Sequence, residues 1–139
     1  MTNQRKKSDG FTLIELAIVV TIMGVLVTII IPNYFRFADR AKNALVRENI
    51  HVIQTAVEDF SVEHYGTYPV QTDAPELLAM LPKGELPRNP FDNHPTPLAW
   101  NRDPAIPGEI AITNLPGGGY MLQGHGADAV LDPPIIGGD

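Results

Sequence analysis

The feature that most constrains this chain is an apolar run of 21 residues, at positions 11–31, with a single charged side chain, Glu15. At a helical rise of about 1.5 Å per residue, the run is about 30 Å long, which matches the hydrocarbon core of one bilayer. Apolar runs of this length are typical of membrane-spanning helices, whereas core helices of soluble proteins are apolar on one face. The run therefore predicts a single transmembrane helix.

Basic residues ahead of the run predict its orientation. Arg5, Lys6 and Lys7 lie in the first ten residues with one acid, Asp9. Positive charge is retained on the cytoplasmic side, so we expect a cytoplasmic N-terminus and an external remainder. A secretory signal peptide is the alternative, but no small-residue cleavage site closes the run. The sequence thus predicts a single-pass protein of the cytoplasmic, or inner, membrane.

A helical pattern continues beyond the apolar run to about residue 64. Apolar side chains recur at spacings of four, three, four and three residues, which is one stripe of an amphipathic helix: Val46, Ile50, Ile53, Val57 and Phe60. Gly66 and Pro69 then end the pattern. We expect one helix over 11–64, with a transmembrane and assembly half over 11–32 and a second half that packs through one face.

The remaining residues, 65–139, predict a small globular domain. Three β-rich runs lie in it, at 98–100, 109–113 and 120–123, and a Gly-rich turn connects the last two. Pro75 stands where a short helix over 75–80 would begin. The fold class expected is α+β, with a long N-terminal helix whose C-terminal half packs on a small three-stranded antiparallel sheet.

Composition excludes several classes of function. Acidic residues outnumber basic residues 16 to 10, so the globular domain alone is not expected to bind nucleic acid. The chain has no cysteine, which excludes disulfides, a cysteine nucleophile and cysteine-ligated metals. The four histidines show no metal-ligand spacing, and no catalytic triad can be argued. We expect a protein that is not an enzyme and has no cofactor.

The start of the apolar run carries a specific motif. Gly10-Phe11-Thr12-Leu13-Ile14-Glu15-Leu16, after a short basic leader, resembles the processing site of type IV prepilins and type II secretion pseudopilins. The resemblance implies that a membrane prepilin peptidase removes residues 1–10 by cutting between Gly10 and Phe11, and methylates the new amine of Phe11. It also implies helical filaments of this chain, periplasmic or extracellular, that an inner-membrane assembly platform builds from subunits held in lipid.

Physical chemistry gives Glu15 a role that fits this resemblance. A carboxylate costs about 2.5–3.5 kcal/mol at the centre of a bilayer helix and less near the edge, so it needs a partner or water. After cleavage, the Phe11 amine is a cation in the same layer. Two chains staggered by one filament step can pair these charges, which makes Glu15 the expected assembly residue. A carboxylate that only extends to the membrane surface is the alternative.

Two residues weaken the helix within the apolar run. Pro32 removes a backbone hydrogen bond to Thr28, and Gly24 is a weak helix former, as are the β-branched residues between them. Both stand where the resembling family has its helix-weakening glycine and proline. We expect local unwinding over 24–32 in an assembled filament.

The C-terminal part resembles the major pseudopilin of type II secretion and small pilins, through Tyr65-Gly66-Thr67-Tyr68-Pro69 and the last predicted strand. In major pseudopilins calcium often braces the last loop, and here the available carboxylates are Asp128, Asp132 and Asp139. Calcium prefers six to eight oxygen ligands, so a solvated tail is favoured over a calcium site.

The function expected is a structural subunit of a type IV pilus-like or type II secretion pseudopilus filament. The alternatives are a minor or tip pilin, and a membrane-anchored binding module that is processed and never polymerises. The presence of Glu15 favours a shaft subunit, because some tip subunits lack this acid. A secretion pseudopilus, an adhesive pilus and a DNA-uptake pilus all remain compatible with the sequence.

Overall fold

A computed structural model describes residues 10–138 of the chain, so the leader residues 1–9 and Asp139 lie outside the described part. Helix α1 spans Leu13–Glu63 and has 51 residues, close to the predicted 11–64. The chain divides into two compact units with their boundary between Phe37 and Ala38, inside α1. Each unit is described separately below.

The described part of the first unit, residues 10–37, is the apolar half of α1. Every side chain in it is exposed, because the helix is apolar all round and the unit holds no second element to cover it. The helix continues through Pro32 without a break. The polar side chains here donate to helix carbonyls, as Thr28 Oγ1 does to Val25 at 2.6 Å and Asn33 Nδ2 to Ile29 at 3.2 Å.

The second unit, which begins at Ala38, holds the hydrophobic core. The predicted stripe of α1 is confirmed, since all five of its apolar residues are buried, together with Ala56 and Ser61. Helix α2, Ala74–Met80, begins with Pro75 in its first turn as expected and buries Leu77 against the stripe. This short helix lies between two 3₁₀ turns, at Gln71–Asp73 and Pro82–Gly84.

A sheet of four strands completes the second unit, in the order β1 Leu98–Trp100, β2 Ile110–Leu115, β3 Gly119–Gly124 and β4 Ile135–Gly137. The predicted hairpin is confirmed, with β2 and β3 antiparallel and Ile112 opposite Leu122. Ile110, Ile112, Tyr120 and Leu122 are fully buried and face the helical stripe. The α+β fold with a long helix on a small sheet is therefore confirmed.

Two details of the predicted sheet are wrong. The sheet has four strands, and it is mixed rather than antiparallel, because β1 pairs with β2 in parallel. A three-residue strand has too little alternation to reveal its direction. The connection over 101–109 carries the chain back past β1, so that β2 runs in the same direction as β1. Strand β4 follows two prolines and has only three residues, so its sequence did not indicate a strand.

Close packing at one glycine fixes where the sheet meets α1. A Cβ on Gly124 would lie 2.7 Å from Val46 Cγ1 and 2.8 Å from Ile50 Cδ1, closer than side chains tolerate. Tyr120 is fully buried on the same strand, and its hydroxyl donates to the Glu58 carboxylate on α1. Burial, together with this hydrogen bond, raises the pKa of Tyr120 far above its ordinary value.

An ion pair between the buried Glu109 carboxylate and the half-exposed Arg102 guanidinium holds the connection between β1 and β2. Glu109 is 4% exposed; it accepts hydrogen bonds from the Arg102 guanidinium and, at 2.6 Å, from the N–H of Ala105. Burial alone would raise the pKa of Glu109, but Arg102 and these N–H donors hold it below its ordinary value. The pair therefore stabilises the fold when Glu109 is ionised.

We predict that Arg102→Gln lowers the free energy of unfolding more at pH 7 than at pH 3. In the wild type, a depressed pKa gives stability that is present above the unfolded pKa of about 4.3 and is lost as pH falls through the folded pKa. Without Arg102, burial dominates and Glu109 prefers to be protonated, so acid relieves the defect. Urea unfolding of the full chain in detergent, followed by Trp100 fluorescence, measures both values. The exposed cation variant Lys83→Gln is the control, and an equal deficit at both pH values would contradict the prediction.

Candidate assembly site

The N-terminus of α1 is closed by a reciprocal pair of side chains, Thr12 and Glu15. Thr12 precedes the first helical residue, and its Oγ1 accepts from the Glu15 N–H at 3.3 Å. In return, Glu15 Oε2 accepts from the Thr12 N–H at 2.9 Å and from Thr12 Oγ1 at 2.8 Å. This is a capping box, which satisfies backbone N–H groups that have no partner inside the helix.

The capping box directs the Glu15 carboxylate back over the start of the helix. Both of its hydrogen bonds from Thr12 are made by Oε2, and among residues 10–138 the second oxygen, Oε1, has no hydrogen-bond partner. The carboxylate is exposed and has an acceptor available for another group. The sequence analysis missed Thr12, although the spacing Thr-x-x-Glu before an apolar run is the signature of this cap.

Gly10 and Phe11 precede the cap and are open to solvent. The Phe11 side chain is 82% exposed, and a Cβ built on Gly10 would meet no atom within 4 Å. A peptidase could therefore reach the bond between them. Among residues 10–138, nothing requires a glycine at position 10 for packing.

The apolar surface behind the cap is large and uncovered. One helix, α1, is long and apolar enough to cross a membrane among the described residues, and none of its most apolar stretch is buried. Gly24 and Pro32 both lie within this exposed helix, where Gly24 has open space around its Cα. The proposed unwinding over 24–32 belongs to the assembled state and stays a prediction.

The C-terminal segment is tied to α1 by polar contacts that the sequence did not suggest. Arg47 Nη2 donates to the Asp132 carbonyl at 2.6 Å, and Asn43 Oδ1 accepts from the Ala127 N–H at 2.9 Å. Asn43 and Arg47 are four residues apart, beside the buried stripe, and that spacing is the only signal in the sequence.

The carboxylates considered for calcium lie in this segment and at its end. Asp128 and Asp132 are exposed, and Asp139 is outside the described part of the chain. Within residues 10–138, no group of three or more His, Asp or Glu side chains is placed to hold a metal ion. The contact from Arg47 occupies the Asp132 carbonyl, in the loop that was considered for calcium.

Comparison with known protein families gives one match. Residues 5–31 match the prokaryotic N-terminal methylation motif. The matched region includes the basic residues before Gly10, the capping box and the whole apolar run.

Individual relatives extend the similarity beyond the motif. Over 100 residues, the chain is 31% identical to type II secretion system core protein G of Pseudomonas aeruginosa, covering 72% of this chain and 63% of that protein. It is 44% identical over 57 residues to the type IV major pilin PilA of Myxococcus xanthus, covering 41% and 26%. Core protein G of Klebsiella michiganensis is 30% identical over 84 residues, covering 60% and 57%.

The matched regions span less than two thirds of the length of these three relatives. No solved structure is significantly similar to the chain.

We predict that Thr12→Val exposes the Glu15 amide to exchange with solvent, whereas Thr12→Ser does not. Valine keeps the shape of threonine but has no hydroxyl, and loss of a cap costs about 1 kcal/mol, a factor of about five in local opening. Amide hydrogen exchange of the full chain in detergent micelles measures this, with the Val46 amide in the second unit as internal reference. Equal exchange of the Glu15 amide in the three proteins would contradict the role assigned to the capping box.

Proposed function

Because this chain is a member of the type IV pilin and type II secretion pseudopilin family, we propose that it is a structural subunit of a type IV pilus-like or pseudopilus filament. The observation that carries the proposal is the wholly exposed apolar half of α1, headed by a capped carboxylate. Exposure of so much apolar surface to water is unfavourable. Lipid covers it before assembly, and copies of the same helix cover it afterwards.

Processing is the first step of the proposed function. A prepilin peptidase cuts between Gly10 and Phe11 and methylates the new amine. The exposed position of both residues supports access by such an enzyme. Cleavage also removes Arg5, Lys6 and Lys7, the charges expected to hold the N-terminus in the cytoplasm. The mature chain is then free to be drawn out of the inner membrane by an assembly platform.

Assembly is the second step, and it depends on Glu15. Because Thr12 holds only Oε2, Oε1 remains available to the Phe11 amine of a neighbouring copy. Pairing neutralises two charges that would otherwise enter an apolar bundle alone. In this account the cap prepares the carboxylate for the neighbour, and unwinding over 24–32 lets the helices adjust their packing.

We predict that Gly10→Val retains the leader. The chain itself has room for the larger side chain, so any loss of processing reports the peptidase and not the fold. Intact-mass measurement of membrane protein should show residues 1–10 still attached in the variant, and a chain beginning at methylated Phe11 in the wild type. Normal removal of the leader from Gly10→Val would contradict the proposed processing.

We predict that Glu15→Gln is processed normally and fails to form filaments. Glutamine at this position also completes a capping box, so the variant keeps the helix start and removes only the charge. The unpaired Phe11 amine then costs about 3–5 kcal/mol at each subunit of the filament. Sheared filaments and membrane-held mature protein are quantified by immunoblot, with the exposed-loop variant Glu85→Gln as control. Filaments in wild-type amount from Glu15→Gln would contradict the role of the charge.

A further inference from the structure

Two exposed arginines follow the apolar run and lack partners among residues 10–138. Arg36 and Arg40 are four residues apart on α1, so they lie on one face of the helix. Neither forms an ion pair or a side-chain hydrogen bond with any residue in the described part of the chain. By contrast, Arg47, a few turns further on, is engaged with the Asp132 carbonyl.

A groove suited to an arginine lies further along the same helix. It has a volume of about 350 Å³ and opens between α1 and the turn after α2, with a mostly apolar lining: Val52, Thr55, Ala56, Met80, Leu81 and Pro82. Asp59 is the one charged residue in the lining; it is exposed and forms no ion pair with residues 10–138. An apolar wall for an aliphatic stem and a carboxylate for a guanidinium are what an arginine side chain fits.

The groove cannot take Arg40 of its own chain. Arg40 and Asp59 are 19 residues apart on α1, which places them about 28 Å apart along the helix axis. Arg40 can therefore reach such a groove only on a second copy, displaced along the axis by about that distance.

The face of α1 that leads to the groove also fits a displaced second copy. Residues at spacings of seven, four, seven and seven share this face, and they change from apolar to acidic along it: Tyr34, Ala41, Leu45, Val52 and Asp59. Tyr34 is 68% exposed and Leu45 is 48% exposed, so part of this apolar face is uncovered in the single chain.

We propose that the groove around Asp59 receives the Arg40 guanidinium of a second copy in the filament, with the two parallel helices staggered by about 28 Å. This proposal rests on the proposed function and adds the register between subunits. That displacement pairs two charges, Arg40 and Asp59, that have no partner among residues 10–138 of a single chain.

Charge reversal tests the pairing in intact filaments. Arg40→Glu and Asp59→Arg should each reduce the amount of sheared filament about tenfold or more, because like charges then meet at every such contact. The double variant should recover filaments to near the wild-type amount. Asp103→Arg, a matched reversal of an exposed acid in the connection between β1 and β2, should leave the amount unchanged. A double variant as defective as the single variants would overturn the proposal.

Cross-linking tests the register directly, because the chain has no native cysteine. Arg40→Cys and Asp59→Cys are made as separate single-cysteine proteins, co-expressed, and treated with a short bismaleimide in sheared filaments. We expect a covalent dimer from this mixture and none from Arg40→Cys mixed with Glu85→Cys. Dimers only from the second mixture, or from neither, would overturn the proposed register.

The test separates this proposal from the proposed function and from a lipid role. If the wild type forms filaments but the Arg40→Cys and Asp59→Cys proteins do not cross-link in them, the proposed register is wrong and the proposed filament function stands. If the wild type forms no filaments at all, the proposed function itself is wrong. Arginines next to an apolar span can also bind anionic lipid headgroups. Normal filament yield from Arg40→Glu would overturn the pairing and leave such a lipid contact as the role of Arg40.

Discussion

The apolar half of α1 must be covered by something other than water, and the rest of the molecule follows from that constraint. Residues 11–31 contain one charge, and the structure covers none of them. In lipid, the helix satisfies its own backbone and even its threonine and asparagine side chains, so it is stable as a single span. In a filament, identical helices replace lipid, and Glu15 then needs a cation in the same layer. The second unit, stabilised by its own core, needs no contact with the bilayer to fold.

Long periodic features of the fold could be predicted from the sequence, and short ones could not. The stripe from Val46 to Phe60 repeats over four helical turns, so five residues independently indicate the same buried face. All five are buried, as predicted. The β2–β3 hairpin was equally clear, since a Gly-rich turn separates two β-rich runs. The direction of β1 and the existence of β4 depend on pairing with β2 and β3, which no local pattern reveals.

Some residues of the candidate site could likewise be predicted from the sequence, and others could not. Gly10, Phe11 and Glu15 could be predicted because a contiguous motif carries them, and the structure adds the hydrogen bonds by which Thr12 orients the carboxylate. The groove around Asp59 could not be predicted, since its walls come from α1 and from the turn after α2. Arg47 and Asn43 were missed for a similar reason: their partners lie 84 or more residues away, in a loop without secondary structure.

The central claim is that this chain is the repeating subunit of a filament built through its mature N-terminus. Mass spectrometry of filaments sheared from cells expressing the wild-type protein, purified and checked by electron microscopy, tests the claim most directly. The account predicts that this chain is the principal protein in the filaments and that it begins at an N-methylated Phe11. Recovery of the chain only from the membrane fraction, with filaments that lack it or contain it as a trace component, would contradict the account.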